Sequence, residues 1–74
     1  MTEAEFALRI ARALLPAYPE NALVFLNRAL AATVDPRLRS LVSSALTMIE
    51  VSNADAAMRW IDRALNYDQA RRTG

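Results

Sequence analysis

A nine-residue stretch that occurs twice constrains this chain more than any other feature. Residues 22–30 read Ala-Leu-Val-Phe-Leu-Asn-Arg-Ala-Leu, and residues 57–65 read Ala-Met-Arg-Trp-Ile-Asp-Arg-Ala-Leu. Ala22/Ala57, Arg28/Arg63, Ala29/Ala64 and Leu30/Leu65 are identical. Leu23/Met58, Phe25/Trp60, Leu26/Ile61 and Asn27/Asp62 keep their chemical character, so Val24/Arg59 alone breaks the match. An offset of 35 residues falls in the range of stacked helical units.

The rest of the chain fits such a unit. Thr2 and Glu5 form a capping-box signal for a first helix that runs to about Leu15, where Pro16 stops it. Phe6, Ile10, Ala13 and Leu14 share one face at helical spacing, while Leu8, Ala11 and Leu15 form a second stripe on the opposite side. Apolar on two sides, this helix is expected to be sandwiched. Pro19 opens a second helix over about residues 19–33, with Ala22, Leu23, Leu26, Ala29 and Leu30 inward.

Asp35 as N-cap and Pro36 at the first position start a third helix. Its stripe is Leu38, Leu41, Val42, Ala45, Leu46 and Ile49. Ser52 and Asn53 end it and cap a fourth helix, with Ser52 and Asp55 as a second box-like pair. The fourth helix buries Ala57, Met58, Ile61, Ala64 and Leu65, then frays into the tail Arg71-Arg-Thr-Gly74. The connections are short, as antiparallel pairs require. The expectation is one all-α domain, residues 1–74, of two antiparallel helical hairpins (four helices). The hairpins cover about 2–34 and 35–70, arranged as a helical repeat or a four-helix bundle.

These residues resemble the tetratricopeptide repeat family. Its second helix carries alanine, an apolar residue and Ala-Leu at the spacing of Ala22, Leu26, Ala29 and Leu30, and again of Ala57, Ile61, Ala64 and Leu65. The small residue of its first helix is matched by Ala45. Ile10 stands where the first unit should have it, Asp35-Pro36 comes two residues late, and Gln69 replaces a proline. The resemblance implies paired helices that stack and bind other proteins.

Composition removes most chemistry. The 74 residues include no cysteine, histidine or lysine. Disulfides, thiol catalysis, Schiff bases and the usual zinc sites are therefore excluded. Ser40, Ser43, Ser44 and Ser52 lack a base and read as surface or capping hydroxyls. One terminal glycine leaves no phosphate-binding loop. Asp55 and Asp62 are a conceivable carboxylate pair, but they lie among arginines without a pocket signal. Asp55 with Arg59, and Glu5 with Arg9, read as ordinary i,i+4 surface pairs. No catalytic residue, cofactor or metal site is expected.

The chain has no long apolar run and opens on acids rather than a basic leader, so no membrane span and a cytoplasmic location are expected. Nucleic acid is an unlikely partner: nine arginines are balanced to a net charge of +1, which leaves little field for phosphates. Arg37 and Arg39 at the start of the third helix either hold an anion or are solvated, with Arg39 reaching back to Asp35.

At 54% apolar, so short a chain is expected to keep apolar surface outside its own core. Phe25, on the flank of the second helix, is expected to pack on the third. Trp60 holds the same place on the fourth helix, with no fifth helix to cover it. Arg63 is spaced to touch both Trp60 and Tyr67, and these residue types favour binding hot spots. Trp60 either stands open or folds back over the domain edge, against Met48 or the tail. Leu8, Ala11 and Leu15 either lie open at the other end or are buried between the second and fourth helices.

Trp60, Arg63, Tyr67, Leu8, Ala11 and Leu15 are thus the candidate partner-binding residues. The expected function is a non-enzymatic protein–protein interaction module acting stoichiometrically: an adaptor, a chaperone-like cover or a small inhibitor of a larger protein. Its partner would be another protein's helix or apolar segment, a second copy in a homodimer, or both. The alternative is a small DNA-binding transcriptional regulator using Arg9 and Arg12 of the first helix and Arg59, Arg63, Arg71 and Arg72 of the last.

Overall fold

The computed structural model describes residues 1–73. Four helices follow one another: α1 (Glu3–Leu14), α2 (Pro19–Ala31), α3 (Pro36–Glu50) and α4 (Ala54–Thr73). The Thr2 side chain accepts the Glu5 N–H at 3.1 Å and starts α1. Leu15, preceding a proline, takes an extended conformation and ends it. Asp35 caps α3 by accepting the N–H groups of Arg37 and Leu38 at 2.9 and 3.1 Å.

The α3–α4 turn differs in detail from its expected form. Asn53, not Ser52, is the N-cap of α4, its Oδ1 accepting the Ala56 N–H at 3.1 Å. Ser52 instead ends α3 in the left-handed region, at φ 62°. There the Ser52 and Asn53 N–H groups return to the carbonyls of Ile49 and Met48, which is the Schellman arrangement. The last helix does not fray at Arg71; it continues to Thr73, and Gly74 lies outside the described residues.

The helices run up, down, up and down. α1 packs mainly on α2 and α3 on α4, α2 lies against α3, and α1 against α4, so the four close into a ring. Leu8, Leu26, Leu38, Val42 and Ile61 are fully enclosed, each such side chain worth about 1.5–3 kcal/mol of transfer free energy. Between them sit alanines 11, 22, 29, 45, 57 and 64, also buried. Small residues at the crossings let the helix axes approach closely.

Of the two apolar stripes of α1, the second is the one buried, and the helix is not sandwiched. Ala4, Ala7, Leu8, Ala11 and Leu15 line the core, whereas Phe6 and Ala13 are exposed and Ile10 and Leu14 only half-buried. The cause is a change of register within the repeat. The core positions of α2 (Ala22, Leu26, Ala29) match those of α4 (Ala57, Ile61, Ala64) at an offset of 35. Those of α1 match Leu38, Leu41, Val42, Ala45 and Ile49 of α3 at an offset of 34.

The first hairpin is therefore one residue shorter between Ala11 and Ala22 than the second is between Ala45 and Ala57. At 3.6 residues per turn, one position rotates a helical stripe by about 100°. Ala11, not Ile10, is the small residue that corresponds to Ala45.

Candidate interaction surface

The two sets of expected contact residues have different fates. Leu8, Ala11 and Leu15 are in the core and closed to any partner in this fold. On α4, Trp60 is half-buried against the core. The Arg63 guanidinium lies 4.8 Å from its ring centroid, the cation–π contact that their spacing allows. Tyr67 turns elsewhere: its hydroxyl donates to both oxygens of the Asp35 carboxylate, at 3.0 and 2.9 Å. Its phenol is occupied in joining α4 to the start of α3.

Asp35 belongs to a chain of charges across one end of the bundle. Arg71 pairs with Asp35 at 3.4 Å and with Asp68 at 3.0 Å. Arg72 reaches Asp68 at 3.5 Å and also bonds Glu5, which takes a further bond from Arg9 at 3.0 Å. Glu5 and Asp68 are both buried, Asp68 to 1% exposure. The Glu5–Arg9 pair forms, but its carboxylate is enclosed rather than on the surface. Farther along the same α1–α4 seam, Arg12 meets Asp62 at 2.7 Å.

These contacts set the local ionisation. Burial pushes the Glu5 carboxyl up, but the hydrogen bonds and charges of Arg9 and Arg72 outweigh it and leave it below its ordinary value. The Asp35 carboxyl is also lowered, first by the Leu38 N–H and then, against some desolvation, by Tyr67, the Arg37 N–H and Arg71. Tyr67 is raised by donating to that carboxylate and by burial.

Arg9, Arg12, Arg71 and Arg72 are thus all matched with carboxylates of the same molecule. Asp62, considered above with Asp55, is taken by Arg12. Arg39 does not reach back to Asp35; its guanidinium donates to the carbonyls of Leu30 and Thr33 and closes the C-terminus of α2. With Asp35 in the N-cap, the start of α3 already holds its own anion.

The surface that does stand open lies on the outer side of the first hairpin. Ile10 and Leu14 of α1 face Asn21, Val24, Phe25 and Arg28 of α2 across a groove of about 400 Å³. Phe25 lines this groove and is partly buried against the core. Phe6, one turn before Ile10, is 55% exposed and Val24 51%. The Arg28 guanidinium sits 5.0 Å from the Phe25 ring centroid, repeating the Arg63–Trp60 arrangement of the second hairpin.

The second hairpin supplies an internal control. In the register of the core, Phe6, Ile10, Ala13 and Leu14 correspond to Ser40, Ser44, Thr47 and Met48, and Val24 to Arg59. Ser44 and Thr47 bond back to the carbonyls of Ser40 and Ser43 on their own helix. The same architecture is thus built with a polar exterior in one half and an apolar one in the other. Folding alone does not require Phe6 or Val24 to be apolar.

No protein-family model, curated protein or solved structure matches the chain. Among the described residues, no helix is long and apolar enough to cross a membrane.

Proposed function

We propose that the protein is a non-enzymatic interaction module that works stoichiometrically through the outer face of its first hairpin. The observation that carries this reading is the contrast between Phe6, Ile10 and Val24 and their polar counterparts Ser40, Ser44 and Arg59 in the second hairpin. An apolar patch that the fold does not need is disfavoured in water, and such patches mark association sites. Arg28, stacked on Phe25, adds a hot-spot residue type at its edge. Trp60, half-buried against the core, and Arg63 over its ring form a secondary candidate.

An adaptor, a cover for an apolar segment and an inhibitor would all use such a face. The DNA-binding alternative loses four of its arginines to intramolecular carboxylates. Photo-crosslinking in cells tests the reading. A benzophenone amino acid at Phe6 should form adducts absent when the probe replaces Ser40, its counterpart. Equal labelling at the two positions would overturn the proposal.

A further inference from the structure

The charges around the groove say what fits it. Glu20, Val24 and Arg28 are spaced i, i+4 and i+8 and form one ridge of α2. Neither Glu20 nor Arg28 takes part in an ion pair among the described residues. An acid and a base equidistant from a central apolar residue make this ridge complementary to itself when reversed. On α1 the row Phe6, Ile10, Leu14 has the same symmetry, with Ile10 in the middle. Ile10 and Val24 line the same groove, so the two rows share one centre.

We propose that the occupant of this face is a second copy of the chain, docked antiparallel about a two-fold axis beside Val24 and Ile10. Val24 then meets Val24 of the other copy, and Glu20 meets Arg28 on both sides of the axis. Phe6 packs over Leu14, and α1 lies on α1. The interface is isologous and closed. The bundle is 34 Å long and 17 Å across, so the dimer uses most of one side to bury the roughly 600 Å² per partner found at the lower end of stable interfaces. The second hairpin lacks this property: its ridge is Asp55, Arg59, Arg63, and a two-fold there would set Arg59 against itself. The dimer rests on reading the first hairpin as an interaction surface, and it commits that surface to self-association.

Sedimentation equilibrium of the full chain, across about three decades of concentration up to the high micromolar range, tests it. The native chain should dimerise. Glu20→Arg or Arg28→Glu alone should weaken dimerisation at least about tenfold. The two together should restore it to within about threefold, because the ridge is complementary again with its charges exchanged. These side chains are exposed, so the variants keep the fold, and circular dichroism checks this.

The chain has no cysteine, so Val24→Cys gives a second readout. Mild oxidation should link it into a covalent dimer, while Val34→Cys, in the connection between α2 and α3, stays monomeric. A native chain monomeric at every concentration, or a double variant no better than the single ones, would overturn the dimer. If the monomer still gave Phe6 photo-adducts of other masses, the interaction surface would stand without its self-pairing. Equal adducts at Phe6 and Ser40 would remove both.

Discussion

The Tyr67 hydroxyl and the Asp35 carboxylate meet at 2.9 Å, and the same carboxylate accepts the first two free N–H groups of α3. One aspartate thus caps its own helix and anchors the last helix 32 positions on. Removing either partner leaves the other short of a bond. Asp35→Ala and Tyr67→Phe should each lower the melting temperature by roughly 5–10 °C. The double variant should lose less than the sum, because the two residues share one interaction. Strict additivity in thermal melts would show the bond to be without weight.

The same end of the bundle sets the response to pH. Asp35 and Glu5 have lowered carboxyl pKa values. On acidification the unfolded chain therefore binds protons first, near the ordinary carboxylate range of about pH 4. Their contribution is complete above about pH 5 and is lost as pH falls through the folded-state values. Tyr67 is raised, so its contribution is complete below about pH 10 and fades as pH rises through the folded-state value. Urea midpoints should fall on both sides of a neutral plateau, and Asp35→Ala should shallow both flanks. A profile that this variant leaves unchanged would contradict the assignment.

Buried Asp68 makes a separate prediction. Its carboxylate is held by Arg71 and Arg72, both partly exposed. Asp68→Ala should cost about 1–3 kcal/mol in urea denaturation, since it vacates an enclosed site and removes one carboxylate partner from each of Arg71 and Arg72. Asp68→Leu should recover part of that loss, because a well-packed apolar residue often replaces a buried ion pair at little cost.

How far the sequence could be read is clearest on α1 and α4. The four helices follow from the prolines, from Thr2 and Asp35 as caps, and from apolar spacing on α2, α3 and α4. The inward face of α1 does not, because two apolar stripes compete there and propensity is equal for both. Carrying the offset of α2 and α4 back to α1 selects the wrong stripe. Applying the α1–α3 offset of 34 would have placed Ala11 beside Ala45, and Phe6 beside Ser40. One local sign of the open surface was visible: Val24/Arg59, the lone mismatch in the repeat. Asp68 gave no warning, as a buried aspartate on a helix among arginines looks like any solvated one.

That register is testable by stability. Leu8→Ala should cost about 2–5 kcal/mol as a core truncation. Ile10→Ser, which copies the second hairpin, should stay within about 1 kcal/mol. The reverse ranking in denaturant melts would return the core to the other stripe.

Ser52 is a site for improvement. It holds a left-handed conformation at φ 62°, which costs a residue with a Cβ roughly 1–2 kcal/mol. Ser52→Gly relieves this but gains freedom in the unfolded chain. A net stabilisation of about 0.5–1 kcal/mol is expected, read as a higher denaturant midpoint. A lower midpoint would mean that the serine is favoured there.

The bond between Arg72 and Glu5 brings the end of α4 beside the start of α1. A join between the end of α4 and the start of α1 would need only a brief linker, so rearranged versions reopened at another exposed turn should keep every helix pairing. For the same reason the whole unit is suited to grafting into a loop of a host protein, entering and leaving through one small opening. Held that way, the bundle would stand like a post on its host, its apolar flank turned sideways and free to meet whatever passes.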